Sequence, residues 1–455
     1  MNNYKERIRA YIEAHLSEMV EALKELVAIP SVAGAPAPGA PYGKDCADLL
    51  LAVKTLYEKY GFEANLYDED GYLLTEFGNG EHSIGMFAHG DVVPPGDGWL
   101  YAAPFCLVEK HGCLFGRGAL DNKVAIINSL FCARIIRDLN IPVKSRLVLF
   151  TGSNEETGMR DVMAYRQKHV APDFSFVCDA GFPLYRGDKG ILRFTVTQRE
   201  PMITVTDICG GEAFNIIVGN ARAVVNGEAL EAKGISAHAA VPDGAINAVG
   251  VLSEKLLERA DVAEQDKDAL RLICSLTQTC HGDPIGIAVE DPDFGPLTLA
   301  NGIVTMTDGR ITLGFDMRYG LAVDIDSVIG KIKAFFYKYG WDMTVVYDTR
   351  PFALSEEDPC LRACLDAYHA FTGNYGARPR INAGGTYAKH LPRAIEIGTT
   401  AKYGVALPMP AGHGSSHQPD EFIRIDGIEE GLEITMQMIL ACDKVLAGED
   451  NGDDI

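Results

Sequence analysis

Three apolar, strand-like runs in this chain each deliver a metal-binding type of side chain. Ser83 to Ala88 runs into His89-Gly90-Asp91, Arg146 to Thr151 leads to Glu155-Glu156, and Phe174 to Cys178 ends at Asp179. In an open α/β sheet, ligands gather at the carboxyl ends of parallel strands. An imidazole and several carboxylates brought to one sheet edge suit zinc or a harder divalent cation, and two ions better than one. That pattern points to hydrolytic chemistry.

The surrounding sequence fits an α/β layer. Tyr4 to Ala28 reads as an amphipathic helix stopped by Pro30, and a second helix covers Asp45 to Tyr60. Phe62 to Phe77 alternates like a hairpin, with Asp68-Glu69-Asp70-Gly71 as its turn. Asp121-Asn122-Lys123 opens a helix running to Leu139, with Pro142 beyond its end. Strands alternating with helices predict a largely parallel sheet. After Asp179 the texture changes. Tyr185 to Gly190 reads as a hinge, and Asn382-Ala383-Gly384-Gly385-Thr386 as the crossing back. Between them lie strands at Leu192 to Thr197, Ala221 to Val225, Ile311 to Asp316 and Met343 to Tyr347, with helices at Ala245 to Glu258 and Ser327 to Tyr339. The chain is therefore expected to hold a discontinuous catalytic domain, residues 1–185 and 380–455, interrupted by an α+β lid at 186–379. The acidic tail from Glu449 to Asp454 is expected to be disordered.

At 455 residues the chain is too long for one ordinary core. Its formal net charge of −22 argues against nucleic acid or an anionic membrane as partner, since both select basic surfaces. No apolar run is long enough to span a bilayer, and the start lacks the apolar core of a signal peptide. Eleven scattered cysteines without CxxC spacing read as reduced thiols, so a cytoplasmic location is expected.

Further motifs carry chemistry. Asp91, two residues after His89, falls on the same face of an extended segment and can orient the ring of a ligating His. Gly116 to Lys123 places two glycines before Asp121 at a helix start. Adjacent Glu155 and Glu156 point apart, so one can bind metal while the other handles a proton. His238 sits among small residues in the expected lid, and Arg318 follows an apolar strand from which it could fork onto a carboxylate. Each has an ordinary explanation when taken alone: a packed histidine, an N-cap aspartate, solvated acids, a loop histidine, a structural ion pair.

Their joint order reads differently. His89-x-Asp91, Asp121, Glu155-Glu156, Asp179, His238, Arg318, Gly384-Gly385-Thr386 and His417 closely resemble the co-catalytic metallopeptidases of the aminoacylase/carboxypeptidase/dipeptidase family, in particular its peptidase V (Xaa-His dipeptidase, carnosinase-like) branch. The resemblance extends over nearly the whole chain and is most specific at the metal motifs. It implies a zinc-exopeptidase fold of the phosphorylase/hydrolase-like kind, with a lid made of two ferredoxin-like halves. It implies that Asp121 bridges two divalent metals, zinc first, with manganese or cobalt as alternatives. His89 and Asp179 would complete one metal, and Glu156 and His417 the other. A cis peptide is implied at Asp121-Asn122. Glu155 is implied as the general base, Asp91 as the residue orienting His89, and His238 as a donor to the oxyanion. Arg318, Asn215, Gly384, Gly385 and Thr386 are implied as substrate contacts. The long lid implies a monomer acting on small peptides. Val124 stands where the family usually has Gly, and His413 is an extra histidine beside His417; the Gln418-Pro419-Asp420-Glu421 continuation favours His417 as the ligand. The rival readings are an N-acyl amino-acid deacylase or succinyl-diaminopimelate desuccinylase with the same site, and a non-catalytic peptide- or metal-binding protein.

Overall fold

The computed structural model describes residues 2–402, 404 and 407–449; the acidic tail beyond Glu449 lies outside the described residues. The chain divides into two compact units. One comprises Met1–Gly187, Ala353–Arg380 and Thr386–Ile455; the other comprises Asp188–Phe352 and Ile381–Gly385.

The first unit is built on a mixed sheet. Its strands lie in the order Asn65–Tyr67, Tyr72–Phe77, Arg146–Gly152, Ser83–His89, Phe174–Ala180, Ala394–Gly398, followed by Tyr185–Asp188 and Phe352–Ala353. The centre is parallel. Ser83–His89 pairs in parallel with both Arg146–Gly152 and Phe174–Ala180, and Ala394–Gly398 joins the latter in parallel. The pairs outside this centre are antiparallel where their register is defined, including the expected hairpin, whose Gly71 adopts φ 73° at the turn. Every residue of Ser83–His89 is buried, as a strand covered on both faces must be.

Helix Lys123–Asp138 is buried along its whole length from Lys123 to Ile136. Such all-round burial marks a helix inside the core rather than on the surface. It packs on the His89 strand, on helix Asn2–Val27 and on helix Ile425–Leu446. Helix Lys44–Lys59 instead buries one stripe, Cys46, Leu49, Leu50, Val53, Leu56 and Tyr57, at the spacing of a single helical face. All eleven cysteines are free thiols, and no described helix is long and apolar enough to cross a membrane.

The second unit carries a seven-stranded sheet in the order Glu228–Lys233, Asn220–Val225, Val205–Gly210, Thr298–Thr307, Arg310–Tyr319, Gly190–Gln198, Trp341–Thr349. Neighbours are antiparallel throughout. Helices Ala248–Leu257, Glu264–Thr277 and Ile325–Lys338 contribute Leu252, Ile273, Ile332 and Phe336 to a core with Phe194, Phe315 and Trp341 from the strands. The join between Val205–Gly210 and Thr298–Thr307 has only Gly210 facing Val304 in register, so the sheet has a thin seam between three strands and four.

The division into units differs from the expected lid bounds of 186–379, because residues 353–380 fall in the first unit. Asp358 caps helix Pro359–Thr372 by accepting from Cys360 N and Leu361 N, and the helix buries Cys360, Leu361, Ala363 and Cys364. That buried face packs on helix Ile425–Leu446, so burial of its apolar stripe ties the segment to the first unit.

Candidate metal centre

The register of the parallel strands assembles the centre. His89 faces Gly152 across one ladder, and Gly90 N donates to Gly152 O. The turn carrying Glu155 and Glu156 therefore starts level with His89. Phe87 faces Val177 across the other ladder, which puts Asp179 two residues further along at the same edge. Asp121 precedes the buried helix, and the Asp121-Asn122 peptide is cis. The Asn122 amide donates to Cys178 O at 2.7 Å and to Asp179 Oδ1 at 2.9 Å.

Two groups of potential ligands result, His89–Asp121–Asp179 and Asp121–Glu156–His417, each with its donor atoms within 4.8 Å of one another. Asp121 belongs to both. Its Oδ1 lies 3.1 Å from His89 Nε2, and its Oδ2 lies 3.2 Å from His417 Nε2. Asp179 Oδ2 is 3.6 Å from His89 Nε2, and Glu156 Oε1 is 3.1 Å from His417 Nε2.

The donor chemistry fits a cation. His89 Nδ1 lies 3.0 Å from the Asp91 carbonyl oxygen. A carbonyl can only accept, so Nδ1 carries the hydrogen. With a proton there, a neutral ring would offer its Nε2 lone pair beside the Asp121 and Asp179 oxygens, a set that a cation between them would satisfy. Glu156 Oε1 is buried, with His417 Nε2 facing it at 3.1 Å. Acceptors converging in this way call for a positive charge among them. The titration behaviour reflects the same field. For His89, burial favours the neutral ring, but Asp179, Asp121 and Asp91 hold the imidazole well above its ordinary value. His417 is pushed up to about 11 by hydrogen bonds to Asp121 and Glu156. Burial opposes ionisation of Asp121, yet His417 and His89 hold its carboxyl below the usual range. Glu155 is raised well above an ordinary glutamate by burial and by the neighbouring charges of Asp179, Glu156 and Asp91.

Asp91 lies against the His89 ring, whose Nδ1 is 3.4 Å from its carboxylate and 3.0 Å from its main-chain carbonyl. The fully buried Asp91 carboxylate also accepts from Glu155 N at 3.1 Å and Glu156 N at 3.0 Å.

Several supporting residues were not found from the sequence. Asp161 Oδ2 accepts from Ser153 N, Asn154 N and the Tyr387 hydroxyl. Two buried carboxylates, Asp91 and Asp161, thus collect the four consecutive N–H groups from Ser153 to Glu156. Glu421 Oε1 accepts from Gly118 N, Leu120 N and Asp121 N, while its Oε2 pairs with Arg117 at 2.5 Å. Lys123 is buried and donates to Leu26 O and Ile29 O, tying the Asp121 turn to the end of the first helix. A buried carboxylate beside each motif was visible as a letter, but nothing in its spacing says which backbone it serves.

The expected substrate residues are divided between the two units. His238, Asn215, Arg318, Gly384 and Gly385 belong to the second unit, and Thr386 to the first. Asn215 Nδ2 and exposed His238 Nε2 are 3.4 Å apart, so the structure brings these two together. Arg318 is 3% exposed, and its guanidinium forks onto Asp316 and donates to Ala383 O. Asp316 also accepts from Arg193. The ordinary explanation for Arg318, a structural ion pair, therefore describes its observed contacts. Gly384 N donates to Asn382 Oδ1, and Thr386 caps the short helix Tyr387–His390 by accepting from Ala388 N.

A cation-binding centre at the carboxyl edge of a mixed α/β sheet defines a metallohydrolase arrangement, and comparison with known proteins specifies it. The family model described as peptidase family M20/M25/M40 matches residues 85–441, and the chain belongs to that family. It is similar to the putative dipeptidase YtjP of Bacillus subtilis (strain 168), 27% identical over 440 residues that cover 88% of this chain and 92% of the relative. A putative dipeptidase of Staphylococcus epidermidis is 24% identical, covering 96% and 99%. Among solved structures, human carnosine dipeptidase 1 superposes with a TM-score of 0.62 at 15% identity, over 97% of this chain and 99% of that one. Aminoacylhistidine dipeptidase from Vibrio alginolyticus gives 0.56 at 14%, over 92% and 96%. At these identities the two structures speak to the fold.

Proposed function

We infer that this chain is a metal-dependent dipeptidase that hydrolyses the amide bond of short peptides, Xaa-His dipeptides among them. The observation that carries the reading is Asp121, shared between two three-donor groups, with Glu155 next in sequence to the ligand Glu156. His89 and Asp179 would hold one divalent cation, Glu156 and His417 the other, with Asp121 common to both. When bound, such a pair polarises a scissile carbonyl and acidifies water, zinc, manganese and cobalt all suiting this donor set. Glu155 takes the proton from the attacking water and returns it to the leaving amine. A carboxylate in this position can accept a proton and later donate it. Asp91 and Asp161 keep the Glu155 backbone in register during both transfers. The Asn215–His238 pair supplies a donor to the developing oxyanion, and Gly384, Gly385 and Thr386 frame the substrate. Arg318 would receive the substrate carboxylate with the N–H groups left over from Asp316 and Ala383.

The seam in the seven-stranded sheet supports a lid of two similar halves within one chain, and with it a self-sufficient monomer, which sedimentation at working concentration would test. For the activity itself, the protein is stripped with chelator, reloaded with Zn²⁺ or Mn²⁺, and assayed on dipeptides beside N-acetyl and N-succinyl amino acids. Dipeptide cleavage that returns with metal supports the reading. Cleavage of acyl amino acids alone would make it a deacylase, and binding without turnover a peptide-binding protein. A Glu155→Gln variant is expected to lose about 10²–10⁴-fold in kcat; full activity would remove Glu155 as the base.

A further inference from the structure

The two imidazoles of the centre are held in unlike ways. His89 ends a central strand hydrogen-bonded on both sides, and its side chain is 1% exposed. His417 has a side chain 53% exposed and a left-handed backbone, φ 65°. It lies in the stretch between strands Ala394–Gly398 and Phe422–Arg424, where no described residue is in a helix or strand. The hydrogen bonds within this stretch are local: His413 N to Pro410 O, Gly414 N to Pro419 O, and Gln418 N to Ser415 O. Such a loop does not by itself fix a metal ligand.

What fixes it is a buried aspartate and a second histidine. The Asp420 side chain is 0% exposed. Its Oδ1 accepts from Leu100 N at 2.7 Å and Tyr101 N at 2.8 Å, and its Oδ2 faces His413 Nδ1 at 2.7 Å. Asp420 also has a left-handed backbone, φ 56°, which aspartate tolerates better than most residues. Tyr101 adds a second tie through its hydroxyl, which donates to Pro408 O at 2.5 Å. His413 and Asp420 therefore bracket His417 on both sides in sequence and clamp it to the segment around Tyr101.

We propose that His413, acting through Asp420, is a positioning residue for His417 that slows loss of the Asp121–Glu156–His417 cation, which, held by this exposed loop, is still the more readily exchanged of the two. The inference rests on the two-cation reading above. His413 touches neither group of ligands; it keeps the Asp420 carboxylate pinned so that the His417 loop cannot swing outward. Groups that orient a ligand typically change metal affinity by about 10–100-fold when removed.

The test is metal retention by the loaded protein. Wild type, His413→Ala and His413→Asn are charged with Zn²⁺, dialysed against graded chelator, and their zinc per chain is measured. Wild type is expected to hold two ions and release one before the other. His413→Ala should release that first ion at roughly 10–100-fold lower chelator strength while the second is unchanged. His413→Asn should behave as wild type, because its amide nitrogen can donate where Nδ1 does. Equal retention by His413→Ala and wild type, joint loss of both ions, or failure of His413→Asn to rescue would each overturn the proposal. Wild type holding fewer than two ions would instead overturn the two-cation reading. Should His413→Ala not fold, Tyr101→Phe, which removes the tie to Pro408 O, decides the matter: unchanged retention of the first ion refutes the clamp.

Discussion

Replacing Glu421 with Gln probes the deepest support of the centre. The wild-type carboxylate is fully buried, pairs with a guanidinium that is 1% exposed, and receives three backbone N–H groups at 2.9–3.0 Å. The amide of Gln keeps an acceptor for Gly118, Leu120 and Asp121 but turns an N–H₂ toward the Arg117 donor. Arg117 then retains only Pro95 O at 3.3 Å and the Trp99 ring at 5.6 Å. Breaking one side of a buried ion pair costs about 3–5 kcal/mol. Weakening three charge-assisted bonds to neutral ones acts in the same direction. Against a typical total stability of about 5–15 kcal/mol, that is a severe loss. The two tryptophans make it measurable, since Trp99 lies in the first unit and Trp341 in the second. In a Trp341→Phe background, Trp99 fluorescence during urea unfolding reports the first unit alone. Glu421→Gln is expected to lower its unfolding free energy by about 4 kcal/mol, and adding Arg117→Met should return about 2 kcal/mol or more by removing the stranded cation. A change below about 1 kcal/mol, or a double variant worse than the single one, would refute the argument.

Three other outcomes follow from the same geometry. Burial pushes the Asp161 carboxyl up to about 6 from an ordinary 3.8, Asp91 adding to the rise while Tyr387 and the Val162 and Asn154 backbone oppose it. A raised carboxyl favours the fold while protonated, so this contribution is complete below about pH 4 and is lost as pH rises through 6, about 3 kcal/mol in all; urea titrations should show the stability gap between wild type and Asp161→Asn shifting by that amount between pH 4 and 7, and a pH-independent gap would refute it. In Gly152→Ala, the new methyl would collide with the Tyr387 hydroxyl and Asp161 Oδ2; the expected cost is about 1–3 kcal/mol with a fall in kcat, read by thermal melting and dipeptide turnover. Asp358→Ala removes the cap on helix Pro359–Thr372 and the partner of Arg393; it should lose about 1–2 kcal/mol in a circular-dichroism melt, and Asp358→Asn, which can still cap, clearly less.

The metal-bearing strands were legible because burial on both faces leaves a continuous apolar run whose end is marked by a polar letter. The Ser83 to His89 strand, the hairpin before it and the four strands named for the lid all appear where expected. Strands Val205–Gly210 and Glu228–Lys233 escaped notice because several of their residues are exposed and polar. Helix Pro359–Thr372 could have been found: Asp358 at the cap, Pro359 in the first turn and Gly373 past the end are its written signals. What no spacing could show is the second layer of the site. Asp161 and Glu421 act through backbone N–H groups, and a backbone donor has no letter; Tyr387 acts through Asp161. Arg318 shows the converse, since Asp316 lies two residues earlier on the same strand and face, and its claim on the guanidinium was open to reading from the alternation alone.

The strand order has a consequence for how this protein is made. Ala394–Gly398 lies between Phe174–Ala180 and Tyr185–Asp188 in the sheet, and helix Ile425–Leu446 covers the first helix and the buried one behind the His89 strand. A ribosome therefore releases four of the five candidate ligands long before the pieces that enclose them, while residues 188–352 can settle into their own core in the interval. The early carboxylates wait, crowded and uncovered, until the final stretch threads home, so the nascent protein passes the last part of its synthesis, beyond residue 352, as a nearly finished insert carried by an unfinished host.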